Sequence, residues 1–130
     1  MDILIVAANI PSTERDLLNR VLTEQCVGVR SVGSYAQALE ALARRKHRIV
    51  VLAHLDIQGE FHTAEAIRIM KEIVPEVMII VLSEELPIEE ERKLRESGLY
   101  YYLTRPLDEM EFREVLAGAI NIQMHGRTPS

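Results

Sequence analysis

Short runs of apolar residues alternate along this chain with longer segments in which apolar positions recur at helical spacing. The runs have the length of strands, and they occupy residues 3–6, 27–32, 49–53, 77–82 and 100–103. Those at 3–6, 49–53 and 77–82 are apolar throughout, which is typical of strands buried on both faces of a parallel sheet. The pattern therefore predicts five strands, each followed by a helix.

The segments between the runs carry residues that begin helices. Ser12 or Asn9 is expected to cap the first helix, where Glu14 and Asp16 would face the positive end of the helix dipole. The apolar residues of this helix form a single stripe, so one face of it should be buried.

Two later helix starts have the spacing of a capping box. Ser34 precedes Gln37 by three residues, and Asp108 precedes Glu111 by three. Pro87 suits the first turn of a short, charged fourth helix. The last helix is expected to bury Phe112, Val115, Leu116, Ala119 and Ile120.

Five strand–helix units with short connections predict an α/β fold, a doubly wound parallel sheet with right-handed crossovers. We expect a single domain over residues 1–123, followed by a flexible tail at 124–130. In such sheets, binding and catalysis take place beyond the carboxyl ends of the strands.

Composition narrows the range of partners. The 130 residues carry a net charge of −5, which argues against nucleic acid as the main partner, since phosphate binding requires clustered positive charge. The basic run from Arg44 to Arg48 is interpreted as a helix end that complements the helix dipole.

No apolar stretch reaches the roughly 20 residues of a membrane span, and no signal peptide is evident, so a cytoplasmic location is expected. Cys26, the only cysteine, is expected to be a small buried apolar residue.

The residues at the predicted strand ends are chemically unusual for such a sheet. Alanine follows the first strand twice and ends the third strand once. A serine follows the fourth strand, and a basic residue followed by proline comes after the fifth. These positions are Ala7, Ala8, Ala53, Ser83, Arg105 and Pro106.

On these features, residues 2–122 resemble a response-regulator receiver domain of two-component signalling. The resemblance implies the flavodoxin-like strand order 2-1-3-4-5. It places Ala7 and Ala8 where the family has two acidic residues, and Ala53 at the phosphoacceptor aspartate. It matches Ser83 and Tyr102 to the family's switch positions, and Arg105-Pro106 to a Lys-Pro pair usually joined by a cis bond.

The resemblance implies a degenerate, stand-alone receiver with no catalytic, cofactor-binding or metal-binding residues. A receiver forms an acyl phosphate on a carboxylate with the help of Mg²⁺, and an alanine methyl group can neither attack phosphorus nor bind magnesium. Without an aspartate at Ala53, Arg105 loses its usual partner. We expect it to turn to solvent or to pair with an acidic residue such as Asp56 or Glu60.

Two other interpretations remain open. Asp56 could serve as a displaced phosphoacceptor, because Leu55-Asp56-Ile57 resembles the tripeptide around the family's acceptor; this alignment requires three extra residues before it. Alternatively, the emptied crevice could bind a small ligand. The nearby His54, Asp56, Glu60 and His62 are interpreted as a polar surface loop, since their spacing matches no strong metal signature.

An enzyme is not expected, because no nucleophile–base pair converges on the strand ends. By resemblance, the working surface would be formed by the fourth helix, fifth strand and fifth helix. A second copy of the chain or a partner protein would bind there. Its expected residues are Glu90, Lys93, Leu94, Tyr101, Met110, Arg113 and Glu114.

Overall fold

Strands and helices alternate in the computed structural model, which describes residues 2–8, 10–25, 27–45, 47–54 and 63–125. Five of each are found in these ranges. In chain order they are β1 (Asp2–Val6), α1 (Ser12–Glu24), β2 (Gly28–Val32), α2 (Tyr35–Arg44), β3 (Ile49–His54), α3 (Thr63–Ile73), β4 (Met78–Ser83), α4 (Ile88–Glu96), β5 (Tyr101–Thr104) and α5 (Glu109–His125).

The five strands form one parallel sheet in the order β2-β1-β3-β4-β5. This confirms the predicted α/β, doubly wound, flavodoxin-like architecture. Alternate residues of β1 enter two separate cores because successive side chains of a strand point to opposite faces. Ile3 and Ile5 pack with α1 and α5, whereas Leu4 and Val6 pack with α2 and α3.

Ser34 and Asp108 are confirmed as the caps of α2 and α5. The Ser34 hydroxyl accepts a hydrogen bond from the Gln37 amide at 3.1 Å, and the Gln37 side chain accepts one from the Gly33 amide at 2.8 Å. Asp108 Oδ1 accepts hydrogen bonds from the amides of Met110 and Glu111. These contacts satisfy N–H groups that helix starts otherwise leave without a partner.

The cap predicted for α1 is wrong for Ser12. This residue already lies inside the helix, and Pro11 occupies the capping position with no side-chain hydrogen bond. Proline fixes φ near the value needed just before a helix, so the chain turns there and not one residue later. The alternative cap, Asn9, lies outside the described residues, as does Cys26.

The carboxyl ends of α4 and α5 differ in how they are formed. Gly98 follows α4 and has φ of 100°, the left-handed conformation that commonly ends helices. Helix α5 continues to His125, so the first two residues of the expected tail are helical, while residues 126–130 lie outside the described ranges. Gln123 Nε2 donates hydrogen bonds to the carbonyls of Arg48 and Glu76, which precede β3 and β4.

No helix in the described ranges combines the length and apolarity needed to cross a bilayer.

Candidate functional site

The carboxyl edge of the sheet carries the alanines singled out from the sequence. Ala53 is completely buried in β3 and lies beside Leu82 of β4. Ala7 and Ala8 follow β1 and are half-buried, and the Ala7 amide donates to the carbonyl of Val32. Methyl groups thus occupy three positions at this edge, where they offer neither a nucleophile nor a metal ligand.

Arg105 forms a buried, two-point ion pair with Glu14 of α1. Its Nε lies 2.8 Å from Glu14 Oε1 and its Nη2 lies 3.0 Å from Oε2. Both side chains are only 8% exposed. Arg105 Nη1 also donates to the carbonyl of Leu82, the residue beside Ala53, at 3.4 Å. The guanidinium therefore lies in the crevice at the strand ends, neutralised by a carboxylate of the same chain.

Of the two expectations for Arg105, the turn to solvent is wrong and the pairing with an acidic residue is confirmed. The acid is Glu14, whereas the two examples named, Asp56 and Glu60, lie outside the described residues. A guanidinium stays charged in proteins, so its burial requires a well-aligned anion. The first turn of α1 supplies that anion from directly above the edge of the sheet.

Ser83 and Tyr102 converge on one backbone carbonyl. The Ser83 hydroxyl donates to the Glu84 carbonyl at 2.9 Å, and the Tyr102 hydroxyl donates to the same oxygen at 3.0 Å. Ser83 is 1% exposed, and Tyr102 is 9% exposed under the Arg95 guanidinium, which lies 5.7 Å from the ring centre. Burial raises the pKa of the Tyr102 phenol. Both side chains are thus held inward.

The Arg105-Pro106 peptide bond is cis, as the resemblance implied. The Arg105 amide donates to the Ser83 carbonyl at 3.0 Å, so the loop after β5 begins in register with the end of β4. This contact carries the Arg105 side chain back over the strand ends and toward α1.

The residues expected on the interaction surface do not all lie on it. Glu90, Lys93, Tyr101, Met110 and Glu114 are exposed on α4, β5 and α5. The expectation is wrong for Leu94, which is 4% exposed and packs in the core beneath α4. Leu94 is the one buried residue of α4, whose other apolar residue, Ile88, is exposed, so Leu94 anchors this charged helix to the core.

Arg113 faces α1 and not the fourth helix. Its guanidinium binds Glu24 of α1 at 2.7 Å and Glu109 of α5 at 2.7 Å, and Arg20 binds Glu109 at 2.6 Å. These hydrogen bonds lower the pKa values of Glu24 and Glu109, since each favours the charged carboxylate. The four side chains form a charged network between α1 and α5 that no pattern in the sequence predicts.

Residues 55–62, which include the alternative phosphoacceptor Asp56 as well as Glu60 and His62, lie outside the described ranges. Within the ranges that the structure describes, no three acidic, histidine or cysteine side chains are grouped so as to hold a metal ion.

Neither protein-family models nor curated proteins gave a match to this sequence. Solved structures did. The receiver domain of NtrX from Brucella abortus is 24% identical, with 92% of this chain and 98% of that chain covered and a TM-score of 0.78. The signal receiver domain of an HD domain-containing protein from Pseudomonas fluorescens Pf-5 is 23% identical over 95% of this chain and 89% of its own, with a TM-score of 0.80.

A two-component response regulator from Clostridium difficile is only 13% identical, yet it covers 95% of this chain and 98% of its own with a TM-score of 0.80. The chain has the receiver fold. At these identities the likeness extends to the receiver backbone, and the chemistry of the site must be argued from its own side chains.

Proposed function

We propose that this chain is a degenerate receiver domain that acts as a protein-interaction module without aspartyl phosphorylation. The observation that carries the proposal is the buried Arg105–Glu14 pair. In a phosphorylated receiver, the basic residue after the fifth strand binds the phosphoryl group. Here a carboxylate of α1 already neutralises that cation.

The three alanines at the strand ends support the same proposal, because they lack the groups that phosphoryl transfer uses. Phosphoryl transfer to a receiver requires an oxygen nucleophile and a divalent cation that neutralises the phosphoryl oxygens. Ala53 provides no nucleophile, and Ala7 and Ala8 provide no oxygen ligand for Mg²⁺. Three separate strand-end positions therefore lack the groups that the reaction needs.

For the partner surface we propose the exposed part of the α4–β5–α5 face. Its residues are Glu90, Lys93, Tyr101, Met110 and Glu114. Met110 is 66% exposed and Tyr101 39%, so this face offers apolar and aromatic surface together with charges of both signs. Such a surface suits a second copy of the chain or a partner protein.

Incubation with acetyl phosphate and Mg²⁺, followed by intact-mass spectrometry, tests the loss of phosphorylation. We expect no phosphoryl adduct, and no change in amide chemical shifts on addition of beryllofluoride with Mg²⁺. A stoichiometric adduct would contradict the proposal. If that adduct disappears in Asp56→Ala, the displaced phosphoacceptor is the correct interpretation.

Sedimentation velocity of two methionine variants tests the surface. Met110 and Met124 both lie on α5 and are 66% and 67% exposed, but only Met110 belongs to the proposed face. We expect Met110→Asp to weaken self-association and Met124→Asp to leave it unchanged. Equal effects of the two substitutions would contradict this face as the dimer contact. If the unmodified chain is a monomer, the partner that binds this face is a different protein.

A further inference from the structure

Strand β2 is an open edge of the sheet. Among the described residues it pairs only with β1, and residues 28–31 are all exposed, with Val29 at 43%. Natural edge strands are usually protected by proline, a bulge or a covering element. The sequence of β2, Gly-Val-Arg-Ser-Val, has no proline, and its register with β1 is continuous over all five residues.

The backbone of β2 presents hydrogen-bonding groups outward at alternate residues. The Val32 carbonyl accepts from the Ala7 amide, so Val32 points its N–H and C=O toward β1. By the alternation of a strand, Arg30 does the same, while Val29 and Ser31 point theirs away from the sheet. Two donors and two acceptors therefore face outward at the spacing of a strand.

Two cavities flank this edge, one on each face of the sheet. The cavity toward α1 has a volume of about 190 Å³ and a mixed lining, in which the apolar side chains of Ile5, Ile10 and Leu18 lie beside Arg15 and Asn19. The cavity toward α2 has a volume of about 280 Å³ and is polar. Its lining includes Arg30, Gln37, Glu40 and Arg44.

Cations near β2 differ in whether an anion of the chain already pairs with them, as Asp2 does with Arg45. Arg44 is paired with Glu40, but Arg15 and Arg30 form no ion pair with any described residue. Self-pairing of β2 with a second copy is disfavoured. The antiparallel register that uses all five residues places Arg30 directly opposite itself, and like charges in that position are destabilising.

We propose that the β2 edge binds an extended segment of another protein in which acidic and apolar residues alternate. The added strand would bond to the outward groups of Val29 and Ser31. Its apolar side chains would enter the α1-side cavity, and its carboxylates would face Arg30 on the α2 side. This surface lies at the opposite edge of the sheet from β5, so the inference does not depend on the proposed function.

Hydrogen exchange of the full chain with a synthetic peptide tests the proposal. The probe is a capped eight-residue peptide of alternating glutamate and valine, and its matched control has lysine in place of glutamate. We expect the acidic peptide to bind at least about tenfold more tightly than the lysine peptide. It should slow exchange of the Val29 and Ser31 amides specifically.

Protein variants separate backbone pairing from charge. Ser31→Pro removes an outward N–H at a place where an edge strand tolerates proline, and Arg30→Glu reverses the local charge. Each should weaken binding of the acidic peptide by about tenfold. Arg68→Glu makes the same charge change at an exposed position on α3, and it should have no effect.

An N-methylated acidic peptide, which cannot donate to Val29 and Ser31, provides the same test if Ser31→Pro fails to fold; we expect it not to bind. Equal affinity for both probe peptides, no binding, or changes in exchange away from β2 would overturn the proposal. So would self-association of the chain through β2 that the acidic peptide fails to displace, because the occupant would then be a second copy.

Discussion

The Arg105 guanidinium and the Glu14 carboxylate, 91 residues apart in the chain, meet in a two-point ion pair at the carboxyl edge of the sheet. Both side chains are almost completely removed from water. A buried pair of this kind costs desolvation energy when it forms, so its contribution to stability depends strongly on both partners being present.

Removing either partner should therefore destabilise the fold more than removing both. We expect Glu14→Leu and Arg105→Met each to lower the free energy of unfolding by about 3 kcal/mol, and the double variant to fall within about 1 kcal/mol of the original chain. Urea denaturation measures all three. The exposed Arg92–Glu89 pair serves as a control, because its single variants should cost less than about 1 kcal/mol. Additive losses at Glu14 and Arg105 would contradict this account.

The fold could be predicted from the sequence because its signals are local. The apolar runs at 3–6, 49–53 and 77–82 form strands, and Ser34 and Asp108 cap the helices that follow them. The pattern of each element shows which residues it must bury, and the short connections leave few ways to arrange five such units.

The site could be predicted only in part. The alanines were found because they occupy strand ends, but the partner of Arg105 was not. An acidic residue in the first turn of a helix is already explained by the helix dipole. Nothing in the sequence around Glu14 indicates a contact with a residue 91 positions away. Leu94 was misassigned for a related reason: in a nine-residue helix rich in charge, one leucine shows no periodicity.

The network between α1 and α5 predicts sensitivity to acid. The pKa values of Glu24 and Glu109 are lowered in the folded chain from 4.5, so their stabilisation is present above that value and is lost as the pH falls through the lower, folded pKa values. Arg113→Met should flatten this acid-side decline, as measured by the melting temperature between about pH 3 and about pH 7.

Arg92→Met, an equivalent change in an exposed pair on α4, is the control and should leave the pH profile close to that of the original chain. High salt should reduce the difference between Arg113→Met and the original chain, because the network is solvent-accessible and its charges are screened. An unchanged profile in Arg113→Met would show that other carboxylates cause the acid-side loss.

Ser83 and Tyr102 donate to the same carbonyl, which predicts coupling between them. Ser83→Ala or Tyr102→Phe alone leaves one donor on the Glu84 oxygen, at a cost of about 1 kcal/mol. The double variant leaves none, so its loss should exceed the sum of the single losses by about 0.5 kcal/mol or more. Tyr101→Phe, at an exposed tyrosine, is the matched control. Strict additivity in urea denaturation would indicate that the two hydroxyls act independently.

Two glycines should respond to alanine in opposite directions. Gly98 has φ of 100°, and an added methyl group would meet the Lys71 side chain at 3.0 Å, so Gly98→Ala should lower the free energy of unfolding by about 1–2 kcal/mol. Gly118 lies inside α5, where alanine is the better helix former. Gly118→Ala should raise it by up to about 1 kcal/mol, as the half-exposed Tyr100 hydroxyl at 3.3 Å can shift. Thermal and urea unfolding of both variants measure the contrast.

Glu14 has one property that no dissolved anion shares: it is tethered. A phosphate or carboxylate from solution loses translational entropy when it binds Arg105. Glu14 does not, because the folding of α1 onto the sheet has already positioned it. The effective concentration of this internal anion is set by the fold alone. A phosphoryl group, in contrast, is added by a phosphodonor and removed by hydrolysis. Arg105 consequently has an anionic partner that does not depend on any ligand from solution.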